Sequence, residues 1–300
     1  MDSIRLGLCC QFCEAPIKFR NTTVKHNLGL QASQRLAKLG NLCRMNAEAL
    51  LASLKFCSEH KIGDFRVNSQ ILPLKSHAAA GYDLADLPDG SRTIELFKYC
   101  GEYAKKNGLR LSMHPDQFIL LSSPDKDITQ RSIAELEYHG EVCEWIGADV
   151  INLHAGGAYG DKQKALERVA HNLNKLSERV RKRLTVENDD RVYSPQDLLT
   201  FCLREDIPFV YDIHHHRCLP DEISPRDVTK YALRTWNREP MFHISSPLQG
   251  WHGPNPRRHH DFIDPADFPR FWEDLDNITV EVEAKAKEKA VLALRQALLN

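Results

Sequence analysis

Histidines and carboxylates recur in this sequence at the ends of short β-like runs. His114, His154, Glu187, Asp212 and His243 fall at such ends, and His215 follows Asp212 by three residues. Glu281 and Glu283 alternate at the end of the last run, while His77 and the pair His259-His260 lie in intervening loops. Fourteen histidines among 300 residues make so many chance placements a poor explanation. Imidazole and carboxylate without thiolate suit zinc, manganese or iron, and their number exceeds what one ion can use. Gathering these groups in one cup without cations would be costly. Two or three ions are therefore expected. Ions held ~3.5–4 Å apart clamp the attacking and leaving oxygens of an in-line phosphoryl displacement, which favours phosphodiester hydrolysis over isomerisation. On the last run Glu281 and Glu283 share a face, and Glu283, nearer the end, is the preferred ligand. One residue of His214–His216 is expected to reach a metal, the other two supporting it or facing solvent.

Such a cluster needs elements whose ends converge. Strand-like runs cover Ile4–Cys9, Asp64–Asn68, Arg110–His114, Val150–His154, Leu184–Asn188, Pro208–Ile213, Met241–Ile244 and Ile278–Val282. Amphipathic stretches lie between them at Asn41–His60, Thr93–Asn107, Ile128–Ile146, Lys164–Lys182, Pro195–Leu203, Pro225–Asn237 and Pro265–Asp274, and Ala284–Leu298 follows the last. Ser194-Pro195, Ser224-Pro225 and Asp264-Pro265 place a capping residue before a proline suited to the first helical position. Eight strands each followed by a helix predict a closed parallel (β/α)8 TIM barrel, an α/β fold, as a single domain over 1–300. No glycine-rich fingerprint follows the first strand, which disfavours an open dinucleotide-binding sheet. The ends of barrel strands meet on one rim, where active sites are built.

Composition narrows the class. Apolar residues at 42% and charged residues at 27% are ordinary for a globular protein, and no run approaches the ~18 apolar residues of a membrane span. The N-terminus lacks the basic and apolar regions of an export signal, so a cytoplasmic location is expected. Forty basic against forty-one acidic residues give a net charge of −1, without the excess positive charge of a dedicated DNA-binding module. Bound divalent ions would add charge that residue counting ignores. Nine cysteines, scattered and odd in number, argue against a disulfide framework. Cys10 and Cys13 form a lone C-x-x-C, read as incidental or structural thiols in preference to a metal site.

The motifs together resemble the UV damage endonuclease family. They are Phe65–Pro73 with His77, Met113-His114-Pro115-Asp116-Gln117-Phe118, Asn152–Gly157, Glu187–Arg191, Asp212–His215, His243-Ile244-Ser245, His259–Ile263 and Glu283-Ala284-Lys285. They run in order from about Ile4 to Lys289. The resemblance implies a TIM barrel related to endonuclease IV, a cluster of divalent ions (commonly Mn²⁺, with Zn²⁺ or Mg²⁺ as alternatives) and incision immediately 5′ to a photoproduct in double-stranded DNA. By the same resemblance His77, His114, His154, Glu187, Asp212, His215, His243, His259 and Glu283 are expected metal or active-site positions, with Glu187, Asp212 and His259 catalytic. Gln117 and Phe118 match a probing pair that fills the gap left by a flipped dinucleotide; a planar ring can replace lost base stacking.

This chain departs from the family at three places. The family's modified lysine, two residues before the seventh-strand histidine, falls at Met241, which cannot form a carbamate and leaves the third ion without that ligand. The probing aromatic is Phe118 instead of tyrosine, and Leu6-Gly7-Leu8 lacks an aromatic contact of the first strand. Arg191, Arg257 and Arg258, with Arg217, stand beside rim motifs and are expected to hold phosphates. Trp251 suits base stacking and loop packing equally. A monomer without an obligate protein partner or a membrane is expected. Two rival readings predict different behaviour: a xylose-isomerase-like sugar isomerase or epimerase would turn over a small polyol, and a non-catalytic lesion-binding protein would leave damaged duplex intact.

Overall fold

Alternation of apolar and polar residues along each strand run fixes which face turns outward. In the structure, a computed structural model describing residues 4–299, the strands are β1 (Ile4–Cys9), β2 (Asp64–Val67), β3 (Arg110–Met113), β4 (Val150–His154), β5 (Leu184–Glu187), β6 (Phe209–Asp212), β7 (Met241–Ile244) and β8 (Ile278–Val282). All pair in parallel and in chain order, and β8 closes on β1, so the sheet is a barrel. Leu6, Leu8, Phe65, Val67, Leu111, Met113, Ile151, Leu153, Val186, Phe209 and Tyr211 point outward into the apolar layer beneath the helices. Residues of the other parity point inward, and most of them are polar: Asp64, Arg66, Arg110, Ser112, Asn152, Thr185, Glu187, Asp212, His243, Thr279 and Glu281 are all buried.

The helices are α1 (Val24–Leu28), α2 (Ala32–Glu59), α3 (Gly90–Lys106), α4 (Lys126–Ile146), α5 (Lys162–Leu173), α6 (Glu178–Arg181), α7 (Pro195–Glu205), α8 (Ile213–Cys218), α9 (Pro225–Leu233) and α10 (Glu288–Leu299). In α2 the buried residues Leu39, Cys43, Ala47, Leu50, Leu54 and Cys57 recur every three or four positions, one continuous stripe against the barrel. Helix α7 begins as Ser194-Pro195 suggests: Ser194 and Asp197 form a reciprocal capping box, with proline at the first turn.

Three expected helices come out differently, each for a local reason. The stretch 164–182 splits into α5 and α6, because Ser177 is tied by its N–H and hydroxyl to the Glu137 carboxylate of α4, at 2.8 and 2.6 Å. The stretch 265–274 forms only two 3₁₀ turns, Pro265–Asp267 and Arg270–Trp272. Pro269 offers no N–H and would clash with the carbonyl four residues back, so an α-helix cannot run through. The last helix starts at Glu288, since Lys287 just before it has φ 51°, outside the helical region. Unit seven of the barrel thus has no α-helix between its strands.

Among the described residues the barrel floor is apolar and packed. Met241, Val150 and Val210 form an inward-facing apolar cluster with Trp236 against it. Beside them Arg110 pairs with Asp149 at 2.9 Å and donates to Thr279 Oγ1 at 3.0 Å and to the Glu239 carbonyl at 2.7 Å. Its guanidinium also sits over the Trp236 ring.

Candidate metal centre at the barrel mouth

Strand register brings the chemistry to one level. His154 is paired with Glu187, Asp212 with His243, and His243 with Glu281. Alternate pointing aims all of these side chains inward at the carboxyl ends of their strands. Beyond β3, His114 turns into the same space, its Nδ1 against its neighbour's carbonyl, Pro115 O, at 3.0 Å. Beyond β6, Asp212 caps α8 by accepting the His215 N–H at 2.7 Å, which sets the histidine one turn away beside it.

Glu187 is the hub. Its Oε2 lies 3.1 Å from His114 Nε2 and 3.9 Å from His154 Nε2, and its Oε1 lies 3.3 Å from His215 Nδ1 and 3.2 Å from His243 Nδ1. Asn152 donates to Oε2 at 2.5 Å and fixes the carboxylate from below. Three groups have ligand atoms close enough to share an ion: His114, His154 and Glu187; Glu187, Asp212 and His215; and Asp212, His243 and Glu283. Glu187 belongs to two of them and Asp212 to two, so the groups form a chain of adjacent sites. No cysteine takes part in such a group among the described residues.

Buried polar atoms normally find partners. Here Glu187 Oε1, Asp212 Oδ2, His154 Nδ1 and His243 Nδ1 are buried without a hydrogen bond. Divalent cations would satisfy them, and the oxygen and imidazole donors are of the right chemistry. The protonation balance points the same way. Burial alone would raise the Glu187 carboxyl, but the imidazoles around it, His243 foremost, outweigh it and hold the group well below the usual range. Burial opposes charge on His243, yet Glu187 and Glu281 raise it well above an ordinary imidazole. For Glu283 the opposing burial is outweighed by Arg66 and then His243, and its carboxyl is also well down. His154 goes the other way, lowered chiefly by burial. The pocket thus sets ionised carboxylates against charged imidazoles and Arg66, since His215 too is raised well above an ordinary imidazole, against its burial, by Asp212 and Glu187.

The remaining sequence-derived residues fall on the rim or beyond it. His259 sits at the edge, Nδ1 3.8 Å from Glu283 Oε2 and 3.2 Å from the Ser245 hydroxyl, outside the three groups. His77 is exposed; its Nδ1 accepts the N–H groups of Ala79 and Ala80 and it joins none of the groups. Phe118, in the loop after β3, is 71% exposed, and Gln117 beside it is exposed as well. Phe118 borders a groove of about 740 Å³ whose wall includes Leu72, His77, Leu120 and Tyr138. Arg257 donates to the Asp190 carbonyl at 2.9 Å, and Arg191 lies 3.7 Å from the Asp190 carboxylate, so that one residue gathers both. Arg258 is exposed. Trp251 packs in its loop: its Nε1–H donates to Asp267 at 2.7 Å, with Arg217 over its ring.

Two contributors escape the strand-end pattern: Asn152 and Arg66 lie mid-strand. His214, named in the sequence with His215 and His216, is buried between Trp251 and His259 and joins none of the groups. The available signal was parity: Asn152 shares the inward face with His154, and Arg66 with Asp64.

The profile of the family described as UV-endonuclease UvdE matches residues 4–300. The chain is 33% identical over 275 residues to a UV DNA damage endonuclease of Bacillus cereus (strain G9842), covering 88% of this chain and 84% of that protein. A UV DNA damage endonuclease of Bacillus velezensis is 34% identical over 281 residues, 90% of this chain and 85% of the relative. The crystal structure of SacUVDE superposes with a TM-score of 0.87 at 30% identity, over 99% of this chain and 98% of that one. Endonuclease IV from Thermus thermophilus, at TM-score 0.63, 13% identity and coverage of 98% and 99%, shares the barrel fold alone. A D-psicose 3-epimerase from Clostridium cellulolyticum, at 0.59, 13% and 98% and 96%, likewise reports the fold and nothing of substrate. With one family profile spanning the barrel from its first strand to its last helix, and relatives a third identical along it, this chain belongs to the UV-endonuclease UvdE family.

Proposed function

We propose that this protein is a metal-dependent DNA-repair endonuclease that hydrolyses the backbone phosphodiester 5′ to a UV photoproduct or related lesion in double-stranded DNA and so begins its excision. The observation that carries this reading is the row of three adjoining His/carboxylate groups at the open end of the barrel. His114, His154 and Glu187 would hold one divalent ion, Glu187, Asp212 and His215 a second, and Asp212, His243 and Glu283 a third. Mn²⁺ is the proposed occupant, with Zn²⁺ and Mg²⁺ as the alternatives. When bound, such ions activate water and neutralise charge at phosphorus. Met241 supplies no hard ligand, and the third group is composed without it.

The chain's own side chains do the rest. Glu187 and Asp212, each shared between neighbouring groups, set the spacing of the row. His259, at the rim with Nδ1 against the Ser245 hydroxyl, would exchange a proton with a departing oxygen. Phe118 presents an open aromatic face that would stack where a damaged pair leaves the helix, with Gln117 beside it. Arg191, Arg257 and Arg258 would hold phosphates along the rim and keep the strand in register. The protein is proposed to act as a single-domain cytoplasmic monomer.

The test is nicking of an end-labelled duplex carrying one photoproduct, with MnCl2 or with EDTA. Mn²⁺-dependent cleavage on the 5′ side of the lesion is expected, and Glu187→Gln should lower the rate by about 10³-fold with the far-UV circular dichroism retained. Lesion binding without cleavage under any divalent ion would establish the binding-protein reading and end this one.

A further inference from the structure

Below the three groups lies a charged pair, Arg66 and Glu281, that belongs to none of them. Arg66 of β2 donates through Nη1 to Glu283 Oε1 at 2.6 Å, and the same nitrogen stands 3.1 Å from Glu281 Oε2. Glu281 Oε2 in turn lies 2.9 Å from His243 Nε2, and its other oxygen accepts the Ser112 hydroxyl. Arg66, Ser112, His243 and Glu281 are all buried, on four different strands. His243 therefore has two distinct sides. Nε2 faces Glu281, while Nδ1 faces Glu187 and Glu283, at 3.2 and 3.5 Å.

We infer that Glu281 is a positioning residue: held by Arg66 and Ser112, it keeps the Nε2 side of His243 occupied and so leaves Nδ1 free as a metal donor beside Glu283. Histidine ligands commonly present their second nitrogen to a carboxylate, which fixes ring orientation and tautomer and raises the ligand's basicity. Glu281 fits that description on three counts. It is adjacent to the ligand nitrogen's opposite side, it is anchored by two donors, and it belongs to none of the three ion-holding groups. Arg66 gives the arrangement a second use, because its guanidinium joins Glu281 to Glu283. One cation thereby places both the carboxylate behind His243 and the carboxylate that shares an ion with it. The inference rests on the metal reading above.

The experiment is isothermal titration of the metal-free protein with MnCl2, wild type against Glu281→Gln, with thermal unfolding of both metal-free proteins alongside. Expected is a 10- to 100-fold loss of Mn²⁺ affinity at the weakest site in Glu281→Gln, the magnitude usual for such outer partners, with the metal-free unfolding temperature held. Equal affinity in a folded Glu281→Gln overturns the inference. Should that variant fail to fold, Ser112→Ala removes only one anchor of Glu281. A several-fold loss there supports the inference and unchanged affinity overturns it. Wild-type protein that binds no Mn²⁺ would instead sink the metal reading itself, and this inference with it.

Discussion

Phe118 shows how a single side chain can be legible in part. The sequence places an aromatic after Gln117 in the loop beyond β3, and the structure leaves it 71% exposed. A ring in that state contributes little to folding, so its removal should be felt in binding. Phe118→Ala is expected to weaken binding of a photoproduct duplex by about 1–3 kcal/mol, the range for one base–aromatic stack, read by fluorescence anisotropy under non-cleaving conditions. Its urea midpoint should stay at wild type. A loss of stability with unchanged affinity would show the ring to be a packing residue. Other residues were less readable. Arg66 looks from its neighbours like any charged residue within a strand, and its partners Glu281 and Glu283 lie more than two hundred positions away. Only closure of the barrel brings them together.

At the scale of the elements, β1 and β2 show how tightly the interior is filled. Gly7 sits inward between Asp64 and Glu281, and a Cβ built there would lie 2.5 Å from Asp64 Oδ2 and 3.2 Å from Glu281 Cγ. Neither carboxyl oxygen of Asp64 has a hydrogen-bond partner, and burial first, then neighbouring Glu281, pushes the group well up. The glycine is thus the space a buried acid occupies. Gly7→Ala should cost about 1–3 kcal/mol of stability by urea unfolding, the usual range for an overfilled core; an unchanged midpoint would mean that Asp64 can move aside. Strand positions were the most readable part of the sequence, because inward and outward parity alternates with a period of two. Helix limits were less so. The stop in 265–274 is written in Pro269, whereas the break before α6 depends on Glu137, a residue of another helix.

Taken whole, the molecule divides its labour between two ends. Its barrel order and the convergence of His114, His154, Glu187, Asp212 and His243 were legible in spacing along the chain. The directions of His77 and His259 were not legible, since loops after the strands carry no period that tells direction. The opposite end is where Met241, Val150, Val210 and Trp236 meet. Stoppered there by hydrocarbon among the described residues, the cup opens at the carboxyl ends of its strands, and the polymer proposed as substrate would lie across that opening. Ions must then arrive before DNA does, and docked DNA must bar their exit. EDTA should accordingly strip Mn²⁺ more slowly from protein saturated with a cleavage-resistant damaged duplex than from free protein, as followed by the electron paramagnetic resonance of released Mn²⁺. Equal rates would reveal a back entrance.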